Sequence, residues 1–220
     1  MTITYDTSAD KGGLGTSATP STTYTCGGVN RIVFVFLTTT STTDNITGIS
    51  YAGVSMTRAT FGANVTSIGT AYVYYLINPS TAAGASVTIS KSDAVQTTYC
   101  QIISYTGAKQ SAQPDASNTF SDIASTSSTH SLTTVADKSV VVMLGASSTG
   151  AVSPGAGSTQ RQAWGAGDGM FIFDSGNTGI TPPASTSMSA TATSGNWSIA
   201  MVSIAPLAAG SINSNFLAFM

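Results

Sequence analysis

Serine, threonine or glycine interrupts every window of this chain long enough for three helical turns, and glutamate does not occur anywhere in its 220 residues. Helix is thereby disfavoured throughout, because glycine and the short hydroxyl residues raise the free energy of a helical backbone. Strand signals recur instead. Residues 31–37 read RIVFVFL, a β-branched and aromatic run suited to a strand buried on both faces. In Thr70–Ile77 (TAYVYYLI), Ala71, Val73, Tyr75 and Ile77 alternate with Tyr72, Tyr74 and Leu76, and Asn78-Pro79 then stops the run. Residues 46–57 read as a hairpin turning at Ala52-Gly53. The same rhythm continues through residues 86–91, 97–106, 130–135, 139–144, 169–174, 186–192 and 196–205. About ten short strands joined by hydroxyl-rich turns predict an all-β fold, a two-layered antiparallel β-sandwich over residues 29–206. No repeat of fixed period stands out, which argues against a propeller or solenoid.

Two segments read as separate from the sandwich. Residues 1–28 look like an extended N-terminal arm with a strand-like patch at residues 2–5. Residues 207–220, LAAGSINSNFLAFM, form an uncharged C-terminal tail that gathers Ile212, Phe216, Leu217, Phe219 and Met220. Such a cluster left in water is an aggregation hazard, so it calls for burial. It either folds back over its own sandwich or docks on a neighbouring subunit, and in the second case these five residues are an interface.

Charge narrows the function classes. Only 7% of residues are charged, against about 25% in an ordinary soluble domain, so hydroxyls supply most of the surface polarity. The net charge is −2, and the seven basic residues are scattered from Lys11 to Arg161. Nucleic-acid binding, which needs clustered cations to displace counterions, is not expected. No stretch approaches the roughly 20 apolar residues of a membrane-spanning helix. The opening MTITYDTSADKGG lacks a basic and apolar leader, so the reading is a protein made in a host cytoplasm without a secretory signal. Cys26 and Cys100 read more plainly as buried free thiols than as a bridge.

Residues 29–206 carry a set of marks in order: Asn30-Arg31 opening an apolar strand, the hairpin GISYAGVSMT, the aromatic strand AYVYYLINP, then GASVTIS, ISYTG and the closing IAMVSIAP. In these the chain resembles a jelly-roll module, of laminin-G or concanavalin-like kind, found in bacterial surface proteins and tailed-phage virion proteins. The resemblance implies a jelly-roll sandwich with a glycan-binding, adhesive or virion-surface role. It brings no catalytic residues with it.

The chemistry-bearing residues are few. His130 is the single histidine and there is no G-x-S-x-G elbow, so the sequence offers no assembled nucleophile. The aspartates stand singly in loops rather than as the facing pair of a glycosidase. One His and two Cys cannot make a standard zinc site. Calcium is the metal that oxygen-rich loops would hold, and Asp168, Asp174 and Asn177 in GDGMFIFDSGNTG are its candidate ligands, with turn capping as the plainer reading. Trp164, in the glycine-rich RQAWGAGDG, is the candidate platform for a glycan. Tyr51, Tyr72, Tyr74 and Trp197 read as core. No catalytic residue and no required cofactor are expected. The expectation is a structural virion protein of a phage-like particle, a capsid decoration or a head or tail appendage. It would sit on the virion surface as a homo-oligomer, with another virion protein as partner. The alternative is a carbohydrate-binding or adhesive module with host glycans as partner.

Overall fold

The computed structural model describes residues 1–41, 43–62, 68–164 and 169–208, and these form antiparallel β-structure without helix. The first sheet runs β1 (Thr4–Gly13), β9 (Thr98–Thr106), β3 (Ile32–Thr39), β7 (Thr70–Ile77), β6 (Thr57–Phe61). The second runs β10 (Ala116–Thr133), β15 (Ser185–Ile204), β11 (Val140–Ser147), β14 (Gly169–Asp174), β13 (Thr159–Trp164), with the short β12 (Ser153–Pro154) on β15. A third sheet holds β2 (Ser21–Tyr24), β8 (Ala85–Lys91), β4 (Ile46–Tyr51) and β5 (Val54–Ser55).

The period-two alternation of a strand explains how these sheets stack. On β3, Ile32, Phe34 and Phe36 point toward the second sheet and meet Val142, Leu144 and Val202. Its intervening residues Val33, Val35 and Leu37 point the other way, onto Ile49, Val87 and Ile89 of the third sheet. Every residue of β3 is buried, as the unbroken apolar run requires. β11 behaves likewise: Val140, Val142 and Leu144 join the central core, while Val141 and Met143 face outward onto Phe171, Phe173 and Met188. Each fully buried Val, Leu or Phe side chain contributes roughly 1.5–3 kcal/mol of hydrophobic stabilisation. Close packing also sets a steric demand at Gly145, where a Cβ would lie 2.4 Å from Phe171 Cζ and 2.5 Å from Ile199 Cδ1.

The sandwich expected from the sequence is present, but it is deeper than two layers. The third sheet covers the outer face of the first, and a folded ribbon covers the outer face of the second. That ribbon is made by β10 and β15, which pair from Ala116↔Ser203 to Thr133↔Ser185 with register shifts on either side of Ser125. Phe120 and His130 lie ten positions apart, about 33 Å along a straight strand, yet their rings stack at 4.2 Å. Ser128 Oγ likewise reaches Asp122 Oδ2 at 2.5 Å. The ribbon therefore doubles back, and Leu132 and Met188 close over Val141, Phe171 and Trp197.

The N-terminal arm expected over residues 1–28 is not an arm. β1 pairs with β9 from Thr4↔Thr106 to Gly13↔Tyr99, and β2 forms an edge of the third sheet. Partner hydrogen bonds, rather than apolar side chains, hold β1 in place, and Ile3 anchors it in the central core. The natural division of the chain falls later. Sheets one and three use only residues up to Thr106, and sheet two uses only residues from Ala116 onward. Each half has an outer core of its own, and the central core is the joint between them.

Candidate functional site

The scarce charges are mostly consumed within the chain. Arg58 bridges to Asp44 at 2.6 Å and lies over the rings of Phe61, Tyr72 and Tyr74. Arg31 donates to the carbonyls of Gly28 and Pro79 and to Asn78 Oδ1. Lys91 donates to the carbonyls of Thr16 and Gln96, and burial holds its pKa below the ordinary lysine value. Asp6, Asp10, Asp93 and Asp115 all accept backbone N–H groups of nearby turns. Among the charged residues described, only Lys11, Lys109, Asp137 and Lys138 have a side chain with neither hydrogen bond nor ion pair; Asp168 lies outside the described residues. What remains facing solvent is chiefly hydroxyls, with isolated apolar residues such as Val29, Ile123 and Val135.

The residues singled out from the sequence fare differently. Asp174 and Asn177 do converge, but on a guanidinium. Arg161 Nε lies 2.6 Å from Asp174 Oδ2, and its terminal nitrogen donates to Asn177 Oδ1 at 2.9 Å. Tyr105 donates to the same Asp174 oxygen at 3.0 Å, and Arg161 stacks 4.5 Å above the Tyr5 ring. This cluster ties β1 and β9 of the first sheet to β13 and β14 of the second. The place where a cation would sit between Asp174 and Asn177 is thus filled by Arg161, and no group of three acidic, His or Cys side chains gathers among the described residues. Asp168, the third candidate ligand, lies outside the described residues.

Trp164 is not in a loop. It closes β13, opposite Met170, and its ring packs at 5.3 Å on Tyr99 beside the central core, so only part of the indole is free to serve as a platform. Tyr51, Tyr72, Tyr74 and Trp197 are buried. His130 Nε2 lies 2.9 Å from Asp122 Oδ2, the same oxygen that accepts from Ser128 Oγ. The carboxylate stands between hydroxyl and imidazole, so the imidazole is not placed to take the serine's proton. Cys26 and Cys100 are free and buried, and burial raises both thiol pKa values. The tail residues Ile212, Phe216, Leu217, Phe219 and Met220 lie outside the described residues.

A concavity between the two halves was not foreseen from the sequence. It is a groove of about 830 Å³ at the joint between the halves, walled by residues 109–115, the turn at 135–136 and the chain leaving β15 at 205–208. Its walls are fixed by side-chain clamps. Asp115 Oδ2 accepts from the amides of Val135 and Ala136 and from Ser139 Oγ. Gln113 exchanges hydrogen bonds with both the N–H and the carbonyl of Ala205. Leu207 donates its N–H to Gly107 and accepts from the Met1 amino group at 3.1 Å. Two wall acceptors, Gln110 Oε1 and Asp115 Oδ1, are shielded from solvent and have no partner. Of the four uncommitted charges, Lys109 lines this groove, and Asp137 and Lys138 line the smaller one beside it. In sequence, the glutamines and Asp115 of AKQSAQPDAS show turn chemistry, but nothing marks the distant segments they clamp. Comparison with protein-family models, curated proteins and solved structures finds no match to this chain.

Proposed function

We propose that this protein is a structural contact module, a capsid-decoration or head or tail appendage protein of a phage-like particle, acting through protein–protein interfaces. The observation that carries this reading is the internal use of charge. Docking a charged surface means stripping water from ions, which costs several kcal/mol per ion unless each is re-paired. A surface of hydroxyls with four uncommitted charges among the described residues avoids most of that penalty, so interfaces of the roughly 1,000 Å² needed for stable association become accessible. The motif resemblance to virion-surface jelly-roll modules points the same way.

The test is native mass measurement and sedimentation of the full chain across a salt series. Homo-oligomers whose association is unmoved by salt are expected, because few ion pairs would be screened. A monomer at all concentrations, with glycan-array binding that disappears in Trp164→Ala, would instead establish the carbohydrate-binding reading.

A further inference from the structure

We propose that the free edge of β10 over residues 127–133 is a self-association surface, where the same strand of a second copy adds antiparallel across a two-fold axis at Ser131. An unpaired strand edge is a template for another chain, and folded proteins blunt such edges with charge, proline, bulges or brevity. The other edges among the described strands are blunted in these ways. β1 carries Asp6, Asp10 and Lys11 and shifts register beside Asp6 and Lys11. β6 and β13 shift register at Ala59 and Arg161. β2 has four residues, and β5 and β12 have two each. The first half of β10 carries Asp122 and ends in the register shifts around Ser125. Residues 127–133 differ. They pair with residues 185–191 of β15 without a shift, contain no Asp, Lys, Arg or Pro, and have no described strand on their far side.

The hydrogen-bond pattern selects this occupant. The Thr134 amide donates to the Ala184 carbonyl. Antiparallel alternation then turns the backbone groups of Ser128, His130 and Leu132 toward β15, and those of Ser127, Thr129, Ser131, Thr133 and Val135 away from it. The ends of that outward row are capped within the chain. The Ser125 hydroxyl bonds both the N–H and the carbonyl of Ser127, and Asp115 Oδ2 accepts from the Val135 N–H. Across the ribbon, Ser189 donates its outward N–H to Ser158 Oγ and accepts from the Gly155 N–H. Thr129, Ser131 and Thr133 are exposed, and no described residue bonds their outward N–H and carbonyl groups. These residues stand symmetrically about Ser131. A two-fold axis there sets Ser131 opposite its own copy and Thr129 opposite Thr133, so each free N–H meets a carbonyl of the other chain. The flanking side chains suit the pairing, since His130 meets Leu132 and no like charges are opposed. The pairing supplies an interface for the self-association proposed above, and it rests on edge geometry rather than on a virion role.

Sedimentation and amide hydrogen exchange of the full chain, from low-micromolar to near-millimolar concentration, test it. A monomer–dimer equilibrium is expected, with the amides of Thr129, Ser131 and Thr133 slowing at least about tenfold as dimer forms. Those of Ser128, His130 and Leu132 should be protected in monomer and dimer alike. Ser131→Pro deletes an N–H that faces solvent in the monomer, a position where an edge strand tolerates proline. Ser131→Lys sets like charges against each other at the axis. Each should raise the dimer Kd at least about tenfold while β3 amides stay protected, and added salt should partly restore the lysine variant. A chain that stays monomeric across the range overturns the proposal, as does a dimer in which the Thr129, Ser131 and Thr133 amides still exchange freely. A dimer that ignores both substitutions overturns it too, but leaves the self-association reading standing with its contact elsewhere.

Discussion

Removing the Arg161 guanidinium isolates the charge of Asp174, and the structure sets the size of the effect. Asp174 is fully buried and the Arg161 side chain is 15% exposed, at a contact of 2.6 Å. Breaking a buried pair by deleting one partner costs about 3–5 kcal/mol, because the remaining ion stays desolvated. The Tyr105 hydroxyl and the Gly176 amide still bond the carboxylate, which favours the lower end of that range. Arg161→Met, which keeps the stem's length, is therefore expected to lose about 3 kcal/mol, or roughly 6–12 °C in Tm for a domain of this size. Asp174→Asn in the same background removes the stranded charge and should recover about 1–3 kcal/mol. Urea denaturation of the unmodified protein, both single variants and the double variant gives the cycle directly. A loss below about 1 kcal/mol for Arg161→Met, or strict additivity of the two substitutions, would refute the assignment of this pair as the pin between the halves. Calcium should leave the unmodified protein's midpoint unchanged, since the guanidinium occupies the space between Asp174 and Asn177.

Two further expectations concern proton and thiol chemistry. Burial raises the pKa values of Tyr24, Tyr51, Tyr72, Tyr74 and Tyr105. The unfolded chain ionises its tyrosines near about pH 10, so the stability these groups support is complete below that pH and falls as pH rises beyond it. Phenolate absorbance should show these five titrating above the ordinary tyrosine range, and titration of all eight tyrosines together near about pH 10 in the folded chain would contradict it. A soluble disulfide reagent should label neither Cys26 nor Cys100 until denaturant is added; rapid labelling of the native protein would show that these thiols are not buried as described.

The strands that the sequence announces are those whose own side chains enforce them. RIVFVFL, TAYVYYLI and GMFIFD appear as β3, β7 and β14, and the hairpin turns at Ala52-Gly53, both with positive φ, as an antiparallel two-residue turn demands. The first half of β10, ASNTFSDIAS, shows no apolar alternation because none of its side chains is buried. β15 provides the partner bonds that make it a strand, and a partner far along the chain leaves no local signature. The same holds for β1 beyond Tyr5. Scarcity of charge was legible, but its destination was not, since the carbonyls and carboxylates that absorb Arg31, Lys91 and Arg161 are neighbours only after folding. The groove is harder still to foresee, being the meeting point of three segments separated by up to nearly a hundred positions.

The division of the chain at residues 107–115 also orders events during its synthesis. All pairings of the first and third sheets are available once Thr106 has emerged, so that half can assemble on the ribosome. Its inner wall, with Ile32, Phe34, Phe36 and Ile103, then waits uncovered for the remainder. At ordinary translation speeds that interval lasts on the order of ten seconds. A nascent chain with so apolar a flank in the open is a natural client for a chaperone, and one whose need ends when the last long strand arrives.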